Sequence, residues 1–241
     1  MTTKKLLIIK AGHKIPAVNA PGDYEHWIMT RGALPPEAVT VVDVTAADAT
    51  LPPPDSLCGA IITGSAAMVT DELAWIKQTS NWIRAALTHP VPILGICFGH
   101  QLLAQALDGQ VDYNPRGAEV GTFRFINHGH ASTDPLFGAL PPSFYAHASH
   151  QQAVITPPAG SIRLASSELD DCSAFVYQGR AWGVQFHPEF NADITRHYIE
   201  RYRTLLQQQG RDVDQALAAC QDSPTQHQTL RSFCLLALGR E

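Results

Sequence analysis

The sequence predicts an α/β fold: a mostly parallel central sheet with helices on both faces, plus a smaller mixed or antiparallel sheet. Three observations predict it. Residues 6–9, 58–63 and 91–96 are unbroken apolar runs, the pattern of strands buried on both faces. Segments of helical spacing lie between such runs, as in Leu73, Trp75, Ile76, Trp82, Ile83 and Ala86. After Gly109 the texture changes to short alternating runs separated by Gly, Pro and Asn, which predicts antiparallel pairing.

In chain order, residues 6–9 form a first, central strand. Their basic flank and run of only four apolar residues fit a strand and not a leader segment. A loop with Gly12, Pro16, Pro21 and Gly22 leads to a short helix over 23–30. Residues 39–44 are a second, β-branched strand, and Pro52-Pro53-Pro54 is a surface connection. The third strand, 58–63, ends at Gly64-Ser65. A helix over 71–87, a strand over 91–96 and a helix over 101–107 follow. Later strands fall at 120–126, 144–146, 153–155, 162–165, 174–177 and 181–186, before a helix over 191–208. Residues 1–209 read as one domain. Residues 210–241 read as a helical C-terminal extension that packs Phe233, Leu235 and Leu236 on the domain or on a second copy.

Of 241 residues, 45% are hydrophobic and 16% charged, so a sizeable core can form. A formal net charge of −5 argues against nucleic acid as a partner, since that surface needs a basic patch. No apolar stretch approaches the roughly 18 residues of a membrane span. Cys58, Cys97, Cys172, Cys220 and Cys234 are widely spaced, with no Cys-x-x-Cys pair, which predicts reduced thiols in a cytoplasmic protein.

The chemistry begins at Gly95-Ile96-Cys97-Phe98-Gly99, where an apolar run stops and a helix starts. This is the thiol form of a nucleophile elbow. A nucleophile on so tight a turn holds a strained backbone, and glycines two residues either side remove the collisions that side chains would make. The start of a helix also favours a thiolate through its free N–H groups and dipole. The second stretch is Trp182-Gly183-Val184-Gln185-Phe186-His187-Pro188-Glu189, a strand end that presents a histidine and a carboxylate two residues apart. A thiol nucleophile needs a base, and the base needs an orienting acceptor. Neighbouring parallel strands with their carboxyl ends on one edge would supply all three.

Together these motifs resemble the class I, or triad, glutamine amidotransferases, over about residues 5–200, with a stand-alone, GMP synthase-like arrangement. The resemblance implies a flavodoxin-like fold, Cys97 as nucleophile, His187 as base and acid, and Glu189 as its orienting carboxylate. It implies an oxyanion hole from Gly64 or Ser65 together with Phe98. Here the family's Gly-Gly-Pro turn reads Gly64-Ser65-Ala66. It implies that Gln101 helps hold the substrate, and that Ser149, His150, Gln151 and Gln152 receive its amino-acid head. Gln151 and Gln152 stand where the family has Gly and Asp.

The implied reaction is hydrolysis of the γ-amide of glutamine through a γ-glutamyl thioester on Cys97, with release of ammonia. Expected partners are a small-molecule substrate and a separate synthase subunit that takes the ammonia; a homodimer stays open. One alternative is a γ-glutamyl peptidase or hydrolase working without a synthase, toward which the altered turn and clamp lean. A second is a catalytically silent regulatory or binding module. There is no Gly-x-x-x-x-Gly-Lys-[Ser/Thr] phosphate loop, and no cofactor is expected. His128-x-His130 and His147-x-x-His150 have ligand-like spacing, but no carboxylate or thiolate motif accompanies them, and no metal is expected. Arg116 and Arg124 are read as solvent-facing, and Cys58 as inert packing.

Overall fold

The structure, a computed structural model, describes residues 4–128 and 133–240. His130 lies outside the described residues. Strand β1 (Lys5–Lys10) runs parallel to β2 (Val39–Asp43) on one side and to β3 (Leu57–Ile62) on the other. Strand β4 (Ile93–Ile96) continues from β3, and β11 (Ala181–Val184) from β4, both parallel. Beyond β11, the strands β10 (Ala174–Tyr177), β9 (Ile162–Ser166), β6 (Glu119–Asn127) and β7 (Ser143–His150) add antiparallel. The order across the sheet is β2-β1-β3-β4-β11-β10-β9-β6-β7. Strands β5 (Gln110–Tyr113) and β8 (Gln152–Thr156) form a separate small antiparallel sheet.

The alternating strands of the second half are thus mostly an extension of the main sheet's edge. Strand β11, whose Ala-Trp-Gly-Val run is buried throughout, belongs to the parallel set. Strand β5 had no legible pattern, because only Val111 of its four residues is even half-buried.

Alternation along β1 explains the two layers of helices. Leu6 and Ile8, with Leu94 and Ile96 of β4, face Ile28 of α1 (Tyr24–Arg31) and Leu230, Phe233 and Cys234 of α7 (Pro224–Leu238). Leu7 and Ile9, with Ile62 and Ile93, face Ile76 and Ile83 of α2 (Ala74–Ala86) and Leu102 and Leu103 of α3 (Phe98–Ala106). Each fully buried side chain of this kind contributes about 1.5–3 kcal/mol through removal of apolar surface from water. A third cluster joins Tyr24, Trp27, Val120 and Phe190 to Ile194, Tyr198 and Ile199 of α4 (Ala192–Arg201) and Leu206 of α5 (Arg203–Gln208).

The structure departs from the sequence expectation in two helices and in the tail. Helix α2 begins at Ala74, because Val69–Asp71 forms a single 3-10 turn and Glu72 takes a left-handed conformation at φ 54°. The helix expected over 191–208 breaks at Tyr202 into α4 and α5, which sets Tyr202 on the wall of a cleft. In the tail, α6 (Val213–Ala219) and α7 form, and Phe233 is buried in the main core, but Leu235 and Leu236 are exposed. At about 100° per residue these two point away from the stripe of Leu230, Phe233, Cys234 and Ala237. Among the described residues no helix is long and apolar enough to cross a membrane.

Candidate active site

Cys97 stands between β4 and α3 with φ 52° and ψ −101°, a left-handed conformation that a cysteine adopts only under constraint. The constraint is visible on either side. A Cβ on Gly95 would lie 2.3 Å from the carbonyl oxygen of Gly99, and one on Gly99 would lie 2.4 Å from that of Ile62. The Cys97 N–H donates to the Val184 carbonyl at 2.8 Å, tying the elbow to β11.

Register does the rest. Gly183 pairs with Gly95 and Val184 with Ile96, so the chain leaving β11 emerges beside the elbow. His187 lies there, 2% exposed. Its Nδ1–H donates to Glu189 Oε1 at 2.7 Å, and Cys97 acts on the same ring electrostatically. Stacking holds the ring in place: Phe190 lies 3.9 Å away at 11°, and Tyr24 lies behind at 6.3 Å. Burial by itself would push the imidazolium down. The charges and hydrogen bonds of Glu189 and Cys97 outweigh it and raise His187 to about 10. The arrangement suits an imidazolium oriented by a carboxylate beside a cysteine.

The cleft above this pair is lined by Ser65, Phe98, Gln101, Ser149, His150, Gln151 and Gln152. Gly64 sits behind the lining, where a Cβ would come 3.0 Å from His187 Cε1. Phe98 is the first residue of α3, so its N–H has no partner inside the helix and is free to meet a developing anion. The thiol of Cys97 lies 3.6 Å from the Ser149 carbonyl. Gln101 Nε2 donates to the Gln152 carbonyl at 2.7 Å and to Gln185 Oε1 at 3.0 Å, so this amide braces the cleft wall. Gln152 Nε2 donates to Thr70 Oγ1 at 2.8 Å, while its Oε1 is buried with no partner among the described residues. The Gln151 carbonyl is taken by the Asn114 N–H.

His150 does not offer its ring to the cleft. Nε2–H donates to Glu119 Oε2 at 2.9 Å and Nδ1–H to the Gln152 carbonyl at 2.8 Å. Both nitrogens donating means an imidazolium. Despite the opposing effect of burial, Glu119 raises it to about 9. Glu119, His150 and Asp170 bring ligand-type atoms within 4.8 Å of one another. With both ring nitrogens donating, His150 acts as a counter-ion to Glu119. The spacing of His147 and His150 does not converge either: His147 bonds Thr122 on the opposite face of β7. Arg116 pairs with Asp171, and Arg124 donates to Ser143 Oγ. Cys58 is half-buried in β3. Tyr24, Phe190, Glu119, Thr70 and Tyr202 were not legible as site residues. Only Phe190, an aromatic next to Glu189, had any local signal.

The two raised histidines predict the pH dependence of stability. In the folded chain they hold protons that the unfolded chain releases near pH 6.5. Their contribution is fully present below about pH 6.5 and is lost as pH rises through about 9 for His150 and about 10 for His187. Thermal melts at pH 6.5, 8 and 9.5 should show Tm falling monotonically, by on the order of 5 °C. A flat or rising Tm would contradict the charged state assigned to both rings.

The sequence profile of class-I glutamine amidotransferases matches residues 18–203. Gamma-glutamyl peptidase 5 of Arabidopsis thaliana is 27% identical over 183 residues, covering 75% of this chain and 72% of that protein. One subunit of the glutamine-hydrolysing GMP synthase of Methanococcus aeolicus is 34% identical over 136 residues, covering 52% and 68%. A glutamine amidotransferase structure from Thermotoga maritima superposes with a TM-score of 0.76 at 22% identity, covering 99% of both chains, which shows a shared fold. The chain spans 57% of the length of a Saccharomyces cerevisiae relative and between 19% and 35% of that of three other GMP synthases it matches. Since the profile runs through both the elbow and the His187-Pro188-Glu189 segment, the chain belongs to the class I glutamine amidotransferase family.

Proposed function

We propose that this protein is a cysteine hydrolase that cleaves the γ-amide of glutamine, or the γ-amide bond of a related γ-glutamyl compound, through a thioester on Cys97. The supporting observation is one buried corner. His187 donates to Glu189 at 2.7 Å and interacts electrostatically with Cys97, which lines a cleft together with several polar side chains.

The Cys97 thiolate attacks the γ-carbonyl carbon, and the carbonyl π electrons move to oxygen. The Phe98 N–H and the turn at Gly64-Ser65 are placed for that oxyanion; one such donor is worth about 10²–10³-fold in rate. The C–N bond then breaks as protonated His187 gives its proton to the departing nitrogen. Ammonia leaves and the γ-glutamyl thioester remains. Neutral His187 takes a proton from water, the hydroxide adds to the thioester, and the C–S bond breaks to return the thiolate and release glutamate. Glu189 holds the imidazole in the tautomer both steps need. The unpartnered Gln152 Oε1 is suited to accept from the substrate's α-ammonium. In this reading a separate synthase consumes the ammonia, as the likeness to part of a GMP synthase suggests.

The likeness to a γ-glutamyl peptidase over 72% of its length favours a second reading, in which the leaving nitrogen belongs to an amino acid or peptide and no synthase is needed. Steady-state kinetics on glutamine, γ-glutamyl dipeptides and glutathione separate the two. Intact-mass analysis after treatment with a diazoketone analogue of glutamine tests what they share: one adduct on Cys97 is expected. No adduct, together with no turnover of any of these compounds, would leave only the silent-module alternative.

A further inference from the structure

The segment that carries His187 and Glu189 leaves the sheet after β11, so its backbone polar groups have no strand ladder to join. Their partners come largely from the tail. The Ala192 N–H donates to Asp222 Oδ1 at 2.8 Å. His227 Nδ1–H donates to the Pro188 carbonyl at 2.6 Å. Gln226 Nε2 donates to the Phe190 carbonyl at 3.0 Å, and Gln226 Oε1 accepts from the His147 N–H at 2.8 Å. His147 in turn accepts the His187 N–H on its own carbonyl at 2.8 Å. One fully buried amide therefore couples β7 to the catalytic segment on both sides. Farther along the same helix, Leu230, Phe233 and Cys234 are locked into the main core, so Gln226 is presented from a rigid base. None of these tail residues lies in the stretch matched by the family profile, which ends at residue 203.

We infer that the tail helix α7 is a positioning element for the reaction, in which Gln226, assisted by His227, fixes the backbone of residues 187–190 and so sets the angle of His187 toward Cys97. The inference rests on the roles proposed above for Cys97, His187 and Glu189. The physical argument is one of tolerance. A catalytic pair tolerates about half an ångström of misplacement, and a loop achieves that only when its own polar groups are held. Removing a two-sided buried amide frees both the Phe190 carbonyl and the His147 N–H, and the segment must shift to find other partners.

The test is Gln226→Met, which keeps volume and removes both hydrogen bonds, beside Leu230→Ala, which loosens the same helix without touching the segment. Two readouts are taken: kcat and KM for the best γ-glutamyl substrate, and the pH profile of Cys97 alkylation by iodoacetamide, which needs no substrate. The groups around His187 are Cys97 at the elbow, Tyr24 on α1, Glu189 and His147 on β7; Tyr198 on α4 acts on Cys97 and Glu189, and Asp222, Arg196 and His227 act on His147. The expected result for Gln226→Met is a 10- to 100-fold loss of kcat with KM within about twofold, and a shifted alkylation profile. Leu230→Ala should lower Tm at least as much and leave the profile in place. Wild-type kcat and an unshifted profile in Gln226→Met would overturn the inference. If that variant does not fold, His227→Ala removes the tail's other bond to the same segment, at the Pro188 carbonyl, from a half-buried position, and an unshifted profile there overturns it equally. Should wild type hydrolyse no γ-glutamyl compound, the proposed function fails, while the alkylation profile still decides on the tail.

Discussion

Cys97→Ala is expected to lower kcat for hydrolysis of the preferred γ-glutamyl substrate by about 10⁴-fold or more, to the background left by binding and the oxyanion donors. The loss is chemical and not structural. Alanine meets the same left-handed backbone strain at φ 52° as cysteine does, and it makes no new contact in the cleft. Melting temperature should therefore stay close to that of the wild type. Cys97→Ser should be nearly as inactive. A serine hydroxyl is far harder to ionise than a thiol, and an imidazole already held as a cation by Glu189 is a poor base for it. Retention of more than about a tenth of wild-type kcat in Cys97→Ala would remove this residue from the chemistry.

The largest structural effect is expected at Gly95→Ala. The added methyl would meet the Gly99 carbonyl oxygen at 2.3 Å and the His100 nitrogen at 2.8 Å, both backbone atoms. No rotamer change relieves such a contact; α3 must move away from β4, carrying the elbow with it. Overpacking of this kind costs about 1–3 kcal/mol when the surroundings can yield, and backbone on both sides argues for the upper end or beyond. Urea denaturation should show a midpoint lowered accordingly, with an unchanged m-value. Alkylation of Cys97 should lose its wild-type pH profile even in the fraction that folds. A midpoint within experimental error of the wild type would mean that the elbow is not packed as described.

Both effects trace to a stretch that was readable from sequence, and the reason is local. Gly95 is demanded by sterics acting over four residues, whereas Gly99 answers to the Ile62 carbonyl of β3. The apolar runs of β1, β3 and β4 follow from burial on two faces, and α2 from its helical spacing. The His187-Pro188-Glu189 spacing likewise places a carboxylate within reach of a ring through two residues of backbone. Such features depend on neighbours in the chain, so the sequence alone was enough for the fold class and for picking out Cys97, His187 and Glu189 as candidates.

What tertiary structure alone decided depends on contacts between distant residues. The pairing of β4 with β11 brings Cys97 beside His187, and nothing in either motif specifies that register. The ring of His150 is turned from the cleft toward Glu119, 31 residues away, because β6 and β7 happen to pair there. Tyr24 stacks on His187 and is itself held by Tyr198, 174 residues on. Gln226, in a tail whose sequence offered only an apolar patch, joins β7 to the segment that carries His187 and Glu189. Periodicity reports which face of an element is buried but not against what. A single polar residue whose partner lies across the fold leaves no repeating pattern to be read.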